Sequence, residues 1–350
     1  MLVTLLSGDR PRSLLLTVVL LGILGALALA PFLFPGVRSL ETAARICIFI
    51  VLVASYDLLL GYTGIVSFAH TMFFGLGAYG VALASTHMGR GWDALLVGTV
   101  LGAVAAAALA LVIGLFSLRV RAIFFAMITL AVASAVAVLV SQLSGLTGGE
   151  DGLNYSIPRE LTPAFRLGEV LGVPINGRIL NYYLVFAASL VLFLVLLRIV
   201  NSPFGRVLQA IRENDFRAEA IGYRVVFYRT LATCISAAVA ALAGSLFAIW
   251  LRYVGPDTTL SFEIMLDILL MVVIGGMGTM YGAVIGATIF VLAQNYLQNL
   301  MGAASEATEA LPLVPDLLDP NRWLLWLGVL FVLSVYFFPT GVVGRMRAGR

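Results

Sequence analysis

The chain has no lysine. Its 21 basic residues are all arginine, so the lysine that a P-loop uses to reach nucleotide phosphates is missing, and an ordinary P-loop ATPase site is excluded. Charge of either sign is scarce, at 11% of 350 residues, against about 25% in a soluble domain. With 61% hydrophobic residues and a mean hydropathy of +1.05, the composition is that of an all-α polytopic membrane protein. The net charge of +3 is small, and the arginines follow membrane topology better than a nucleic-acid footprint, so no nucleic-acid partner is expected. Cys47 and Cys234 are the only cysteines and both sit in apolar runs. They read as small buried hydrophobes rather than as a disulfide or a metal site. No cluster of His, Cys or paired carboxylates converges on one membrane face, which argues against an enzyme.

Apolar segments recur near 14–34, 40–60, 66–86, 92–118, 122–143, 179–198, 230–252, 262–276, 282–300 and 322–338, which predicts about ten transmembrane helices. The first run, 14–30, exceeds the 7–15 residues of a signal-peptide core and approaches the roughly 20 of a span, so it is read as a helix. Arginine placement sets the orientation. With the N-terminus inside, Arg10, Arg12, Arg119, Arg121, Arg198, Arg206, Arg212, Arg217, Arg224, Arg229, Arg345, Arg347 and Arg350 all lie in the cytoplasm. Both termini are then cytoplasmic, and the acidic stretch 306–319 is outside.

The longest charged run is NSPFGRVLQAIRENDFRAEAIGY, residues 201–223. Ser202 and Pro203 read as an N-cap and first helical residue. Phe204, Val207, Leu208 and Ile211 supply an apolar face, with Arg206, Arg212 and Glu213 around the rest. Asn214 and Asp215 interrupt the helix, and Gly222 is placed to end a second short piece. Such a segment, amphipathic and flanked by long apolar runs, is expected to lie at the membrane surface and to meet something outside the bilayer.

Two glycine-rich stretches interrupt the apolar pattern. The first runs Gly61, Tyr62, Thr63, Gly64, then Ser67, His70, Gly75, Gly77 and Gly80; the second holds Gly275, Gly276, Gly278, Thr279, Gly282 and Gly286. Each allows either close helix packing or an unwound segment lining a pathway; the neighbouring hydroxyls favour the pathway. The two breaks do not fall at equivalent places in two halves, and no clean internal repeat emerges. His70 either meets a substrate carboxylate or ties down a broken helix, and the second is favoured. Asp57, Glu263 and Asp267 are expected at the membrane interface, because an unpaired carboxylate at mid-bilayer costs about 2.5–3.5 kcal/mol on insertion scales. Thr147, Gly148, Gly149, Asp151 and Gly152 form an outer turn that is the candidate contact for an external partner.

Five blocks, in order, carry a family resemblance: GYTGIVSFAHTMFFGLGAYG, LTGGEDGL, SPFGRVLQAIRENDFRAEAIGYRV, VIGGMGTMYGAVIGA and FFPTGVVG. Together they resemble the permease subunits of branched-chain amino acid ABC importers, of the M type, over about 40–344. The departures are Ala69 for a usual glycine, Tyr281 for tryptophan, Ala283 for proline, and Phe338 and Thr340 for arginines. A related branch that serves urea and short amides shares most of the blocks. The resemblance implies a type II-like importer fold and a single permease domain. That domain comprises a first group of spans (14–198), a coupling segment (199–229) and a second group of spans (230–344). It also implies a second homologous permease subunit, two cytoplasmic ATPases and an extracytoplasmic binding protein, in a bacterial inner membrane. Coupling would fall to Ser202, Pro203, Phe204, Gly205, Arg206, Val207, Ile211, Arg212, Glu213 and Gly222. The glycine stretches Gly61–Gly64, Ser67, His70, Gly275, Gly276, Gly278 and Thr279 would line the substrate pathway. No cofactor is expected on this chain, since ATP and Mg²⁺ would be used by the partner ATPases. An ion-coupled secondary transporter is the alternative from another class; it would want buried ion-coupling carboxylates, which are scarce here.

Overall fold

Among the described residues, each apolar segment is helical over most of its length. The computed structural model describes residues 14–34, 36–117, 122–170, 173–307, 319–337 and 341–348. In chain order the helices are α1 (Leu14–Ala28), α2 (Val37–Thr63), α3 (His70–Met88), α4 (Trp92–Ser117), α5 (Ala122–Gln142) and α6 (Gly177–Val200). The charged stretch forms α7 (Pro203–Glu213) and α8 (Asp215–Ala220); then come α9 (Val225–Leu251), α10 (Phe262–Gly275), α11 (Met280–Ala307), α12 (Trp323–Phe337) and α13 (Gly341–Ala348). Among the described residues, seven helices are long and apolar enough to cross a membrane: α2, α4, α5, α6, α9, α11, and α10 together with the one-turn helix Pro256–Thr259 before it. α1 and α12 have 15 residues each. Arg10, Arg12, Arg119, Arg121, Arg350, most of 306–319, and Phe338 and Thr340 lie outside the described residues.

The 27-residue helices α2 and α9 are the buried centre. α3 packs on α9 with backbone against backbone. A Cβ placed at Gly77 would collide with the Ala241 carbonyl, and one at Gly244 with the Phe74 carbonyl. The Ser245 hydroxyl donates across this seam to the Gly77 carbonyl at 3.1 Å. Much of the first glycine stretch is therefore packing of the small-residue kind.

α2 and α9 are each followed by a non-helical break, at 64–69 and at 252–261, the second interrupted by the one-turn helix. The helices that resume, α3 and α10, start side by side: Phe68 and Phe262 have ring centroids 6.1 Å apart, and Leu260 fills the space beside Gly75. α2 runs toward the end of the bundle that holds α7, since Arg212 meets Gly61. α9 starts at that end, because Val225 clusters with Ile211 and Ala218. α2 and α9 thus run in opposite senses. The break after α9 holds one glycine, Gly255.

At the far end, the loop after α5 is fastened to the end of α9. Strand β1 (Leu153–Asn154) is paired with a later strand, Tyr253–Val254. The Tyr155 hydroxyl donates to the Ala248 carbonyl at 2.6 Å, and burial pushes this phenol's pKa up, so it stays a donor. The hairpin of β2 (Arg166–Val170) and β3 (Val173–Asn176) follows, with Tyr253–Val254 as β4.

Candidate functional site

The segment 201–223 folds into two short helices at one end of the bundle. Pro203 is the first residue of α7 and Ser202 its N-cap. The Ser202 hydroxyl does not cap, however; it donates backward to the Ile199 carbonyl at 2.6 Å. Asn214 caps α8, its side chain accepting from the Arg217 N–H at 2.8 Å. Gly222, with φ of 100°, follows the end of α8. The apolar side is turned into the protein. Leu208 and Ile211 are buried, Leu208 in the main core and Ile211 with Ala218 and Val225. Each such burial is worth about 1.5–3 kcal/mol. Gly205 lies where a Cβ would strike the Val200 backbone, so α7 sits directly on the end of α6. Phe204 stacks on Tyr228 at 5.9 Å between centroids.

The outward side carries Arg206, Gln209, Glu213, Arg217 and Glu219, all exposed. Among them stand Phe216 and Ile221, 80% and 68% exposed. Neither stood out in the sequence. Phe216 falls in a charged run with no helical periodicity to mark it, and only the three-dimensional placement shows that its ring faces away from the bundle.

The two glycine stretches meet at this same end. Gly275, Gly276, Gly278 and Thr279 form the turn between α10 and α11, and Gly278 has φ of 80°. The Gly278 N–H donates to Asp57 Oδ1 at 2.8 Å, and Arg212 Nη1 donates to the Gly61 carbonyl. Gly61 fits because a Cβ there would collide with Asp57 and with the Gly278 backbone. Asp57 is buried within the protein, at 1% exposure, one turn before Gly61 at the end of α2 that meets α7, and the Gly278 N–H offsets part of the cost of burying a carboxylate. Glu263 is exposed and Asp267 half-buried on α10. Both cysteines are free, Cys47 buried and Cys234 half-buried.

Of the remaining pathway candidates, Tyr62, Thr63, Ser67 and His70 are all buried, while Gly64 is exposed. Thr63 Oγ1 donates to the Leu59 carbonyl at 2.6 Å, and Ser67 Oγ accepts from the Ala69 N–H at 3.3 Å. His70 Nε2 lies 3.0 Å from Ser55 Oγ and 3.5 Å from Ser236 Oγ, with the Tyr56 ring edge-on at 5.0 Å. It joins the start of α3 to both central helices. Replacing it removes a fully buried ring that contacts three helices; the two hydroxyls keep their bonds to the Leu52 and Ser55 carbonyls, so each lost hydrogen bond costs about 0.5–1.5 kcal/mol. His70→Ala should therefore lower the melting temperature of the purified protein while leaving the KM for uptake within about twofold. A large rise in KM at unchanged melting temperature would assign His70 to the substrate instead.

At the opposite end, Thr147 and Gly149 are buried, and Gly148 and Gly152 partly so. Thr147 Oγ1 donates to the Leu143 carbonyl at 2.8 Å; Gly148, Gly149 and Gly152 all have positive φ. These four make the turn. Glu150 and Asp151 are its exposed side chains.

A chain of long apolar helices, with a helix pair seated on one end and glycine turns beneath it, has the architecture of a membrane-embedded protein. The family described as branched-chain amino acid transport system / permease component matches residues 38–335. The chain belongs to that family. It is a multi-pass membrane protein and a permease component. It is 28% identical over 326 residues to the high-affinity branched-chain amino acid transport permease LivM of Salmonella typhimurium, covering 88% of this chain and 71% of that one. The match to LivM of Escherichia coli has the same extent. A probable LivM of Methanocaldococcus jannaschii is 28% identical over 229 residues, 65% of this chain and 61% of the relative. No solved structure matches the chain.

Proposed function

We propose that this permease is one half of the pore of an ATP-driven importer for branched-chain, small apolar amino acids, powered by separate ATPase subunits that dock on α7 and α8. The observation that carries the reading is the two-sidedness of that segment: Gly205, Leu208 and Ile211 seated on the bundle, Phe216 and Ile221 exposed outward among charges. An apolar anchor ringed by charged residues is the pattern of an interface hot spot. In this reading α1–α6 and α9–α12 supply ten spans, and both termini and α7–α8 face the cytoplasm of a bacterial inner membrane. A second, homologous permease completes the pathway. A binding protein delivers substrate at the opposite end, where Glu150 and Asp151 are exposed. ATP and Mg²⁺ belong to the partner ATPases. The relatives' names support the substrate class, and the chain's family supports the partners.

The test is co-purification from cells expressing the whole system. Phe216→Asp should reduce recovery of the ATPase subunits at least tenfold, a loss of about 1.4 kcal/mol or more of docking free energy, with the permease pair still in the membrane. Full recovery of the ATPases with this variant would sink the docking assignment. Uptake of labelled leucine that is displaced by isoleucine and valine, and not by urea, is the expected substrate profile.

A further inference from the structure

We propose that Arg212 is the positioning residue through which movement of α7 reaches the transmembrane helices, by capping α2 and bracing the α10–α11 turn together; the inference rests on the docking role proposed above. α2 ends abruptly at Thr63. Its last carbonyls lack helical donors, as at any helix end. Gly61 illustrates this: the N–H groups that might serve it, those of Gly64 and Ile65, both turn back to the Leu59 carbonyl. The donor comes from 151 residues away, as Arg212 Nη1. A guanidinium at a helix C-terminus also meets the negative end of the macrodipole.

The same side chain touches two more elements. Its aliphatic stem runs past Gly64, where a Cβ would lie 3.3 Å from Arg212 Cγ. Its Nη1 would lie 2.7 Å from a Cβ at Gly278. Gly278 is in turn held to α2 by Asp57, one turn before Gly61. Two glycines, both with positive φ (Gly64 at 72° and Gly278 at 80°), thus clear the space in which the Arg212 side chain crosses from α7 to both glycine turns. Leu208 and Ile211 attach α7 to the bundle by apolar contact. Among the contacts of the segment, Arg212 is the directional polar one that reaches α2 and the α10–α11 turn together, and the last turns of α2 lead straight into the break at 64–69. A displacement of α7 therefore pulls or releases both turns together, as a two-state element with contacts that differ between states requires. Lysine would place a single ammonium there without the planar fork.

The test uses the complete transporter in proteoliposomes, with both permeases, the ATPases and the binding protein, measuring substrate uptake per ATP hydrolysed. Arg212→Ala should lower that ratio at least tenfold while the ATPase subunits still co-purify, and Arg212→Lys should recover part of it. A ratio within twofold of the parent for Arg212→Ala would overturn the proposal. If that variant assembles poorly, Arg212→Met, which keeps the stem against Gly64 but has no donor, is read by the same criterion. Gly205→Glu separates the two levels. If Gly205→Glu retains full uptake, the docking reading itself is wrong. If it abolishes uptake and Arg212→Ala does not change the ratio, only the role of Arg212 is refuted.

Discussion

Gly205→Glu is expected to reduce uptake to background while the protein still inserts into the membrane. The reason is geometric. A Cβ at this position already overlaps the carbonyl and α-carbon of Val200, and neither atom can move without unwinding the end of α6. A longer, charged side chain adds burial of a carboxylate to that overlap, so α7 must lift off the bundle. Overpacking of this kind costs about 1–3 kcal/mol where neighbours can relax, and more where the obstacle is backbone. The lost seating removes Leu208 and Ile211 from the apolar surface with it. Uptake in whole cells, alongside quantification of the permease in the membrane fraction, checks the result. Residual uptake above about a tenth of the parent would mean that α7 tolerates displacement, and the segment would then be a passive surface feature.

Gly77→Leu should have the larger effect on the molecule itself. Gly77 on α3 meets Ala241 on α9, and Gly102 on α4 comes close to Gly77 from the other side. An isobutyl group would separate three helices along a seam that includes the Ser245 to Gly77 hydrogen bond. Without a hydrophobic driving force between helices in lipid, such close packing is a main source of association. The expected outcome is loss of a cooperative thermal transition in detergent and a permease recovered mainly as aggregate. Recovery at parental yield with a melting temperature shifted by under about 3 °C would show that the seam can open without harm.

Much of this could be read from the residues alone, for definite reasons. The helices were legible because bilayer-length apolar runs have few other uses, and Pro203, Asn214 and Gly222 marked the bounds of α7 and α8, with Ser202 at the N-cap position though its hydroxyl bonds elsewhere. The break at 252–261 was not legible, because a Tyr-Val-Gly-Pro stretch looks like the plain end of a span. The burial of Asp57 within the protein was not legible because its partner is a backbone N–H 221 residues away, and a backbone donor leaves no mark in sequence. The glycines told of close approach without telling what approaches: Gly77 admits a neighbouring helix, while Gly61 and Gly278 admit a carboxylate and a guanidinium.

The backbone seam between α3 and α9 also limits how the molecule can move. Sliding of packed helices proceeds by small rotamer changes at the interface, which is the shear mode of domain motion. At Gly77 and Gly244 there are no side chains to re-set, and carbonyls sit in the place a Cβ would fill. α3 and α9 are therefore locked as one stiff body. With helical dihedrals fixed on both sides of that seam, the non-helical residues 64–69 before α3 and 252–261 after α9 are where the backbone can turn without breaking helical hydrogen bonds.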